Sequence, residues 1–396
     1  MSELPEIQAT ANGFVALKRG SIEMIGNIDA GLLSPPDARL DNITAVQATS
    51  WAFACLKTDG SVVTWGHAAM GGDSSALRQE LQQKQTSVQC IQSNMHAFAA
   101  ILKDGSIAAW GHPQWGGTTP DDDHFAVRVD GRCLAIQSTQ RAFAAITDQG
   151  TVVAWGDVAD GGASHAVRTQ LVRVSFIQST AHAFAAVRID GTVVTWGAAD
   201  KGGDSRRVQH KLHHVQRIAS TLSAFAAILS SGHVVAWGHP DYGGDLPVTM
   251  AAQPVFKIIG NSGAFAAILD DGTVRAWGHP DYGGDCTAVA DYLHNVVELQ
   301  ATSMAFAAIL GNRTVVTWGA QDYGGNSDLV RGSLYDVRCI AASLCGFAAL
   351  RAGDNEVVVW GDHHQVVDDA AAIKGASLPR RLAGVIMSEQ AGCSDP

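Results

Sequence analysis

Four histidines, His67, His112, His239 and His279, each follow a Trp-Gly pair directly, and Asp157, Asp362, Ala198 and Ala320 fill the same slot elsewhere. A second slot, just before a Gly pair, holds Trp115, Tyr242, Tyr282 and Tyr323, with Asp241, Asp281 and Asp322 preceding the tyrosines. Imidazoles and carboxylates in a recurring slot suit metal ligation, proton transfer or partner recognition. Metal binding needs several ligands within about 2 Å of one ion, and equivalent loops of successive repeats point to different places. No metal site is therefore expected. Tyr and Trp suit interface anchors, so the loops read as a surface that presents His, Asp and aromatic groups to a protein partner. The competing reading is that each ring caps its own turn or packs on its own Trp.

Other polar groupings carry less. His210, His213 and His214 share one face of a predicted helical stretch, but no further ligand is identifiable, so a solvated face is expected. Asp121, Asp122, Asp123 and His124 form an acidic run without EF-hand spacing. Gln8, Gln47, Gln92, Gln137, Gln178 and Gln300 each follow an apolar strand residue, and their amides are expected to bond between neighbouring repeats rather than line a channel. There is no GxxxxGK[ST], HExxH, GxSxG elbow or zinc-type cysteine spacing. Near-identical units argue for one binding surface repeated, so a non-enzyme without cofactors is expected.

The elements that position these residues follow from the repeat. Phe14, Phe53, Phe98, Phe143, Phe184, Phe225, Phe265, Phe306 and Phe347 recur at intervals of 39 to 45 residues, in nine units over the whole chain, 1–396, read as a single repeat domain. Each unit runs through an apolar segment, Phe-Ala-Ala, a turn such as Asp104-Gly105, and an apolar run ending in Trp-Gly. Two β-rich runs joined by Asp-Gly predict a hairpin with a type I′ turn, so each unit is at least a three-stranded antiparallel piece. Val, Leu and Val at offsets of four and seven, as in Val289, Leu293 and Val296, predict a short helix or helical turn after each Gly pair. Asp204, Asp285 and Asn326 are its candidate caps, while Pro247 and Pro254 make the copy at 245–255 irregular. About 41 residues cannot bury both faces of their own sheet, so neighbours must stack. The fold expected is all-β with short helical turns: a β-propeller of about nine compact blades, or an open superhelical array.

Composition bounds the function. Hydrophobic residues make up 46 % and charged residues 16 % of 396, enough for a large core. Twenty-seven basic against 38 acidic side chains give a net charge of −11, which argues against nucleic acid as a partner. The seven cysteines are odd in number and lack any CxxC, so they read as reduced core residues. No basic and apolar leader is present and no apolar run reaches 18 residues. A soluble intracellular protein is expected, with no membrane insertion.

The unit "Phe-Ala-Ala-Ile-Leu-x-Asp-Gly-x-Val-Val-x-Trp-Gly-x-x-x-x-Gly-Gly" resembles the repeat of regulator-of-chromosome-condensation (RCC1-type) propellers, which includes the propeller-type β-lactamase inhibitor and HERC-like ubiquitin ligases. The resemblance spans roughly residues 6–390 and is specific at Asp-Gly and Trp-Gly. It departs where the usual Gly-Gln-Leu-Gly is Gly-Gly-Asp, and where the usual Gly-x-x-His leaves only His96 and His182 nearby. It implies the fold and a binding role, without ligase activity or nucleotide exchange. The expected function is thus a non-enzymatic scaffold or accessory subunit that binds one or more proteins through the loops after each Trp-Gly. A regulatory module of ubiquitin or small-GTPase pathways is one alternative, and a small-ligand binder or enzyme using a central channel is another.

Overall fold

The computed structural model describes residues 6–9, 14–18, 21–25, 40–118, 126–127, 131–250, 253–354 and 356–361. Asp121–His124 and Asp362 lie outside them. Within this range the fold is all-β: nine antiparallel sheets, each a meander of consecutive strands, built one per repeat as propeller-type blades. In the sheet around Phe98 the strands are Val88–Ser93, Ala97–Leu102 and Ile107–Gly111, and a two-residue strand, Ala126–Val127, adds a fourth at its outer edge.

Register explains the aromatic repeat. Phe98 lies opposite Trp110 on the neighbouring strand, and the same pairing joins Phe53 to Trp65, Phe265 to Trp277 and Phe347 to Trp360. The paired rings stack at 5.1–5.3 Å between centroids, an offset arrangement that adds to the area the rings bury. The middle strand is buried on both faces, which is why Phe-Ala-Ala-Ile-Leu reads as an unbroken apolar run rather than an alternation. Ala52, Ala54 and Leu56 of one sheet meet Phe98, Ala100 and Leu102 of the next. The same interlock joins Ala264, Ala266 and Ile268 to Phe306 and Ala308. Small residues on one face thus receive the ring of the following sheet, and the repeat stacks only in this order.

Two sequence expectations are corrected in local geometry. The Asp-Gly turns are not two-residue type I′ turns. Leu102 N donates to Ser106 O and Gly105 N to Leu102 O, and only the glycine, at φ 86°, is left-handed. That is a three-residue loop closed by a G1-type bulge, with Asp104 accepting from the backbone N and hydroxyl of Ser106. The Val-Leu-Val offsets do not mark one helical face either. Leu171, Leu293 and Leu334 end short 3-10 helices, and Val174, Val296 and Val337 open the next strands. Asp285 and Asn326 stand one residue before the N-caps, Cys286 and Ser327, and accept from Thr287 N and Asp328 N, so they brace the entry to these turns rather than cap them. Asp204 accepts from Arg206 N in the same way, ahead of the shorter Gln209–Lys211 helix, and the proline-bearing copy at 245–250 has no helix. Among the described residues one true α-helix, Ser75–Lys84, fills the longer connection before Val88 and buries Leu77 and Leu81.

The described residues form two compact units, one of 6–189 with 194–199, the other of 190–193 with 200–361. The first carries the sheets around Phe14, Phe53, Phe98, Phe143 and Phe184, and the second those around Phe225, Phe265, Phe306 and Phe347.

Candidate functional site

Each described loop after Trp-Gly is a single 3-10 turn, as at Pro113–Trp115, Pro240–Tyr242, Pro280–Tyr282 and Gln321–Tyr323. The slot histidine or its equivalent is the extended residue that opens the turn, and the first glycine of the pair closes it in the left-handed region. At Gly243, with φ +92°, a Cβ would lie 2.6 Å from the Phe265 ring of the next sheet. No other residue fits there. The carbonyl of this glycine accepts the indole N–H of the next sheet's tryptophan: Trp277 to Gly243 at 3.0 Å, Trp318 to Gly283 at 3.0 Å, Trp155 to Gly116 at 3.1 Å. The preceding carbonyl is held from within its own repeat, by Thr221 Oγ1 on Tyr242 O, Asn261 Nδ2 on Tyr282 O and Thr302 Oγ1 on Tyr323 O. Loop backbone is therefore part of the sheet-to-sheet junction, and only the slot side chains remain for other work.

In the second unit those side chains form aromatic and acidic pairs. His239 meets the Tyr242 ring edge-on and His279 meets Tyr282 likewise, both at 5.2 Å between centroids. His279 Nδ1 accepts from Asp281 N, which fixes the imidazole as a local turn cap. Tyr242 and Tyr282 come within 6.4 Å of each other across two sheets, and Lys201 places its ammonium 5.9 Å over the Tyr242 ring. Tyr242, Tyr282 and Tyr323 each rest one side on a core cluster, while the side chains of Asp241 and Asp281 are 74 % and 80 % exposed. Asp322 is exposed on the following loop.

The first unit fills the same slots differently. Trp115 lies between His112, stacked at 3.7 Å, and His96, tilted at 4.2 Å. Burial, with the nearby His112 and Arg141 charges, lowers the pKa of His96 and keeps its ring neutral. His67 is exposed and caps nothing through its side chain. In the repeat around Phe143 the slot before the Gly pair holds Asp160, which is buried and takes Arg141 Nε at 2.7 Å and His182 Nδ1 at 2.8 Å. Arg141 also reaches Asp157 at 3.1 Å. Burial alone would raise the Asp160 pKa, but the hydrogen bonds from His182 and Arg141 outweigh it and hold it low.

The sequence singled out His112, Trp115 and Asp157 here, named His96 and His182 only as what stands near the usual Gly-x-x-His, and missed Arg141 and Asp160. The available signal was a carboxylate standing at 160, in a slot that otherwise holds Met70, Trp115, Lys201 or tyrosine. Elsewhere, His213 and His214 lie beyond the Gln209–Lys211 turn with rings 5.4 Å apart, so the shared helical face expected for 210, 213 and 214 does not form. The glutamines do bond between repeats: Ser93 Oγ donates to Gln47 Oε1 and Gln92 Nε2 donates to Ser138 Oγ. Gln300 instead donates to Glu298 in its own strand. Among the described residues no group of three His, Cys, Asp or Glu is placed to hold a metal, and no helix is long and apolar enough to cross a membrane.

The fold and loops define a repeat protein of three-stranded blades cemented through Trp, Phe and Gly. No family model matches the sequence, and no curated protein matches it. Solved structures do. Prp20p of Saccharomyces cerevisiae, described with its binding to Gsp1p and histones, is 15 % identical with a TM-score of 0.42, over 70 % of this chain and 81 % of that one. The CRINKLY WD40 ectodomain of the Arabidopsis thaliana receptor kinase ACR4 is 14 % identical at 0.40, over 80 % and 95 %. Human WBSCR16 is 16 % identical at 0.40, over 66 % and 81 %. Prp20 is the yeast RCC1, so the family the sequence resembles is among these neighbours. At such identities function rests on the residues themselves.

Proposed function

We propose that this chain is a non-enzymatic protein-interaction scaffold or accessory subunit that binds its partner through the side chains of the loops after Trp-Gly. The observation that carries the reading is the division of labour within each loop. Gly243 and Gly283 give their carbonyls to Trp277 and Trp318, whereas Asp241 and Asp281 are exposed and Tyr242 and Tyr282 half-buried on a backbone tied into the junction. Rings half-buried on a fixed backbone lose little freedom on binding, which is what an interface anchor requires. His239, His279, Asp322 and Tyr323 belong to the same proposed surface of the second unit, and His67, His112 and Trp115 occupy the equivalent loop positions of the first unit.

The test is carboxylate-directed cross-linking of the full-length protein in its native lysate, read by mass spectrometry. Reproducible links from Asp241 or Asp281 to one stoichiometric partner support the proposal. A chain recovered without any partner linked at these loops contradicts it.

A further inference from the structure

We propose that the partner of the second unit engages it through an extended basic segment, with Lys or Arg at alternate positions, laid along Asp241-Tyr242, Asp281-Tyr282 and Asp322-Tyr323. This deepens the protein-binding reading above and rests on it.

Three observations converge. First, the same dipeptide occupies the same slot of three consecutive repeats, 40 and 41 residues apart, so the sheets carry a periodic strip of carboxylate and ring. Second, the Tyr242 and Tyr282 rings stand 6.4 Å apart. An extended chain rises about 3.3 Å per residue with alternate side chains on one face, so residues i and i+2 fall at nearly that interval. Third, the molecule already places a cation on this strip, with Lys201 Nζ 5.9 Å over the Tyr242 ring. An ammonium over a tyrosine face is attracted by the ring's quadrupole. At Tyr282 and Tyr323 the neighbouring exposed carboxylates Asp281 and Asp322 would add charge pairing to the same contact. The chain's net charge of −11 draws a cationic segment toward this surface from a distance.

Spacing separates this from unspecific attraction of opposite charges, and the experiment is built on spacing. Two fluorescent peptides of identical composition, one alternating Lys with Thr and one with the lysines in a block, are titrated into the full-length protein by anisotropy. The alternating peptide is expected to bind about tenfold more tightly, a difference worth roughly one well-made charged contact. The triple variant D241N/D281N/D322N should lose that preference while keeping the wild-type urea midpoint, because these carboxylates are exposed. Equal affinity for the two peptides, or a preference that survives in the triple variant, overturns the proposal. If the preference is absent while Asp281 still cross-links to a partner in lysate, the basic segment is rejected and the protein-binding reading stands. No cross-link at any loop rejects both.

Discussion

The loop ending at Gly116-Gly117 and the one ending at Gly243-Gly244 have the same backbone and different chemistry. Both close on a left-handed glycine that touches the next phenylalanine and accepts the next tryptophan. In the first unit the slots around such loops hold His96, Trp115 and His112, then Arg141, Asp160 and His182. In the second they hold His239, Tyr242, His279 and Tyr282. The contrast teaches that the repeat separates scaffold from surface. Backbone positions that contact the neighbouring sheet are fixed by geometry, while the slot side chains differ in type although they too rest on the junction, as Tyr242, Tyr282 and Tyr323 do. Asp160 ties the junction by charge instead, joining Arg141 of its own repeat to His182 of the next.

The largest effect should come from breaking what the two regions share. Gly243→Val and Gly116→Val each force a Cβ to within 2.6–2.7 Å of a buried ring at a left-handed φ. Backbone strain and overpacking together should cost about 4 kcal/mol in either unit, read from urea unfolding. Equal damage in both is expected; a mild effect at one would mean that its junction is not closed in the same way.

Asp160→Ala should distinguish the regions. It leaves Arg141 and His182 without their carboxylate, and because Arg141 is about a third exposed solvent screens part of the loss. A cost of about 2 kcal/mol is expected. Tyr242→Leu, which keeps an apolar side chain on the core, should cost about 1 kcal/mol.

Acid should sharpen the difference further. The Asp160 pKa is depressed in the folded state, so its stabilisation is complete above the unfolded value of about 3.9 and is lost as pH falls through the lower folded value. His96 is also depressed, so the unfolded chain takes up a proton first and stability declines as pH drops below about 6.5. The urea midpoint should therefore fall in two stages, with Asp160→Asn shrinking the lower, which Asp59, Asp73 and Asp104 share, and His96→Gln removing the upper. A single stage in wild type would contradict these assignments. The smallest effect belongs to Asp281→Asn: a midpoint unchanged within about 0.5 kcal/mol.

Much of this was legible in the sequence because it recurs. Phe, Trp and the Gly pair stand in register through successive units, and only a sheet-to-sheet junction needs the three together. Turn details were harder. Asp-Gly suits two hairpin types, and the hydrogen bond from Leu102 N to Ser106 O decides between them. The Val-Leu-Val offsets matched a helix by accident of phase, since a 3-10 turn ending at Leu293 and a strand beginning at Val296 give the same spacing. Arg141 and His182 recur two residues before the repeat phenylalanine, a slot whose residue type varies, and Asp160 stands before a Gly pair, so no local motif joins the three and only the odd acid at 160 marked the contact.

The account turns on whether the loop tyrosines serve the surface or the core. The most direct measurement is cross-linking of Y242L/Y282L beside wild type in the native lysate, with unfolding midpoints recorded on the same preparations. The account predicts loss of the partner linked at Asp241 and Asp281 with a midpoint lowered only modestly. A partner retained at wild-type yield, or a collapse of stability without any partner in the wild-type sample, would contradict it.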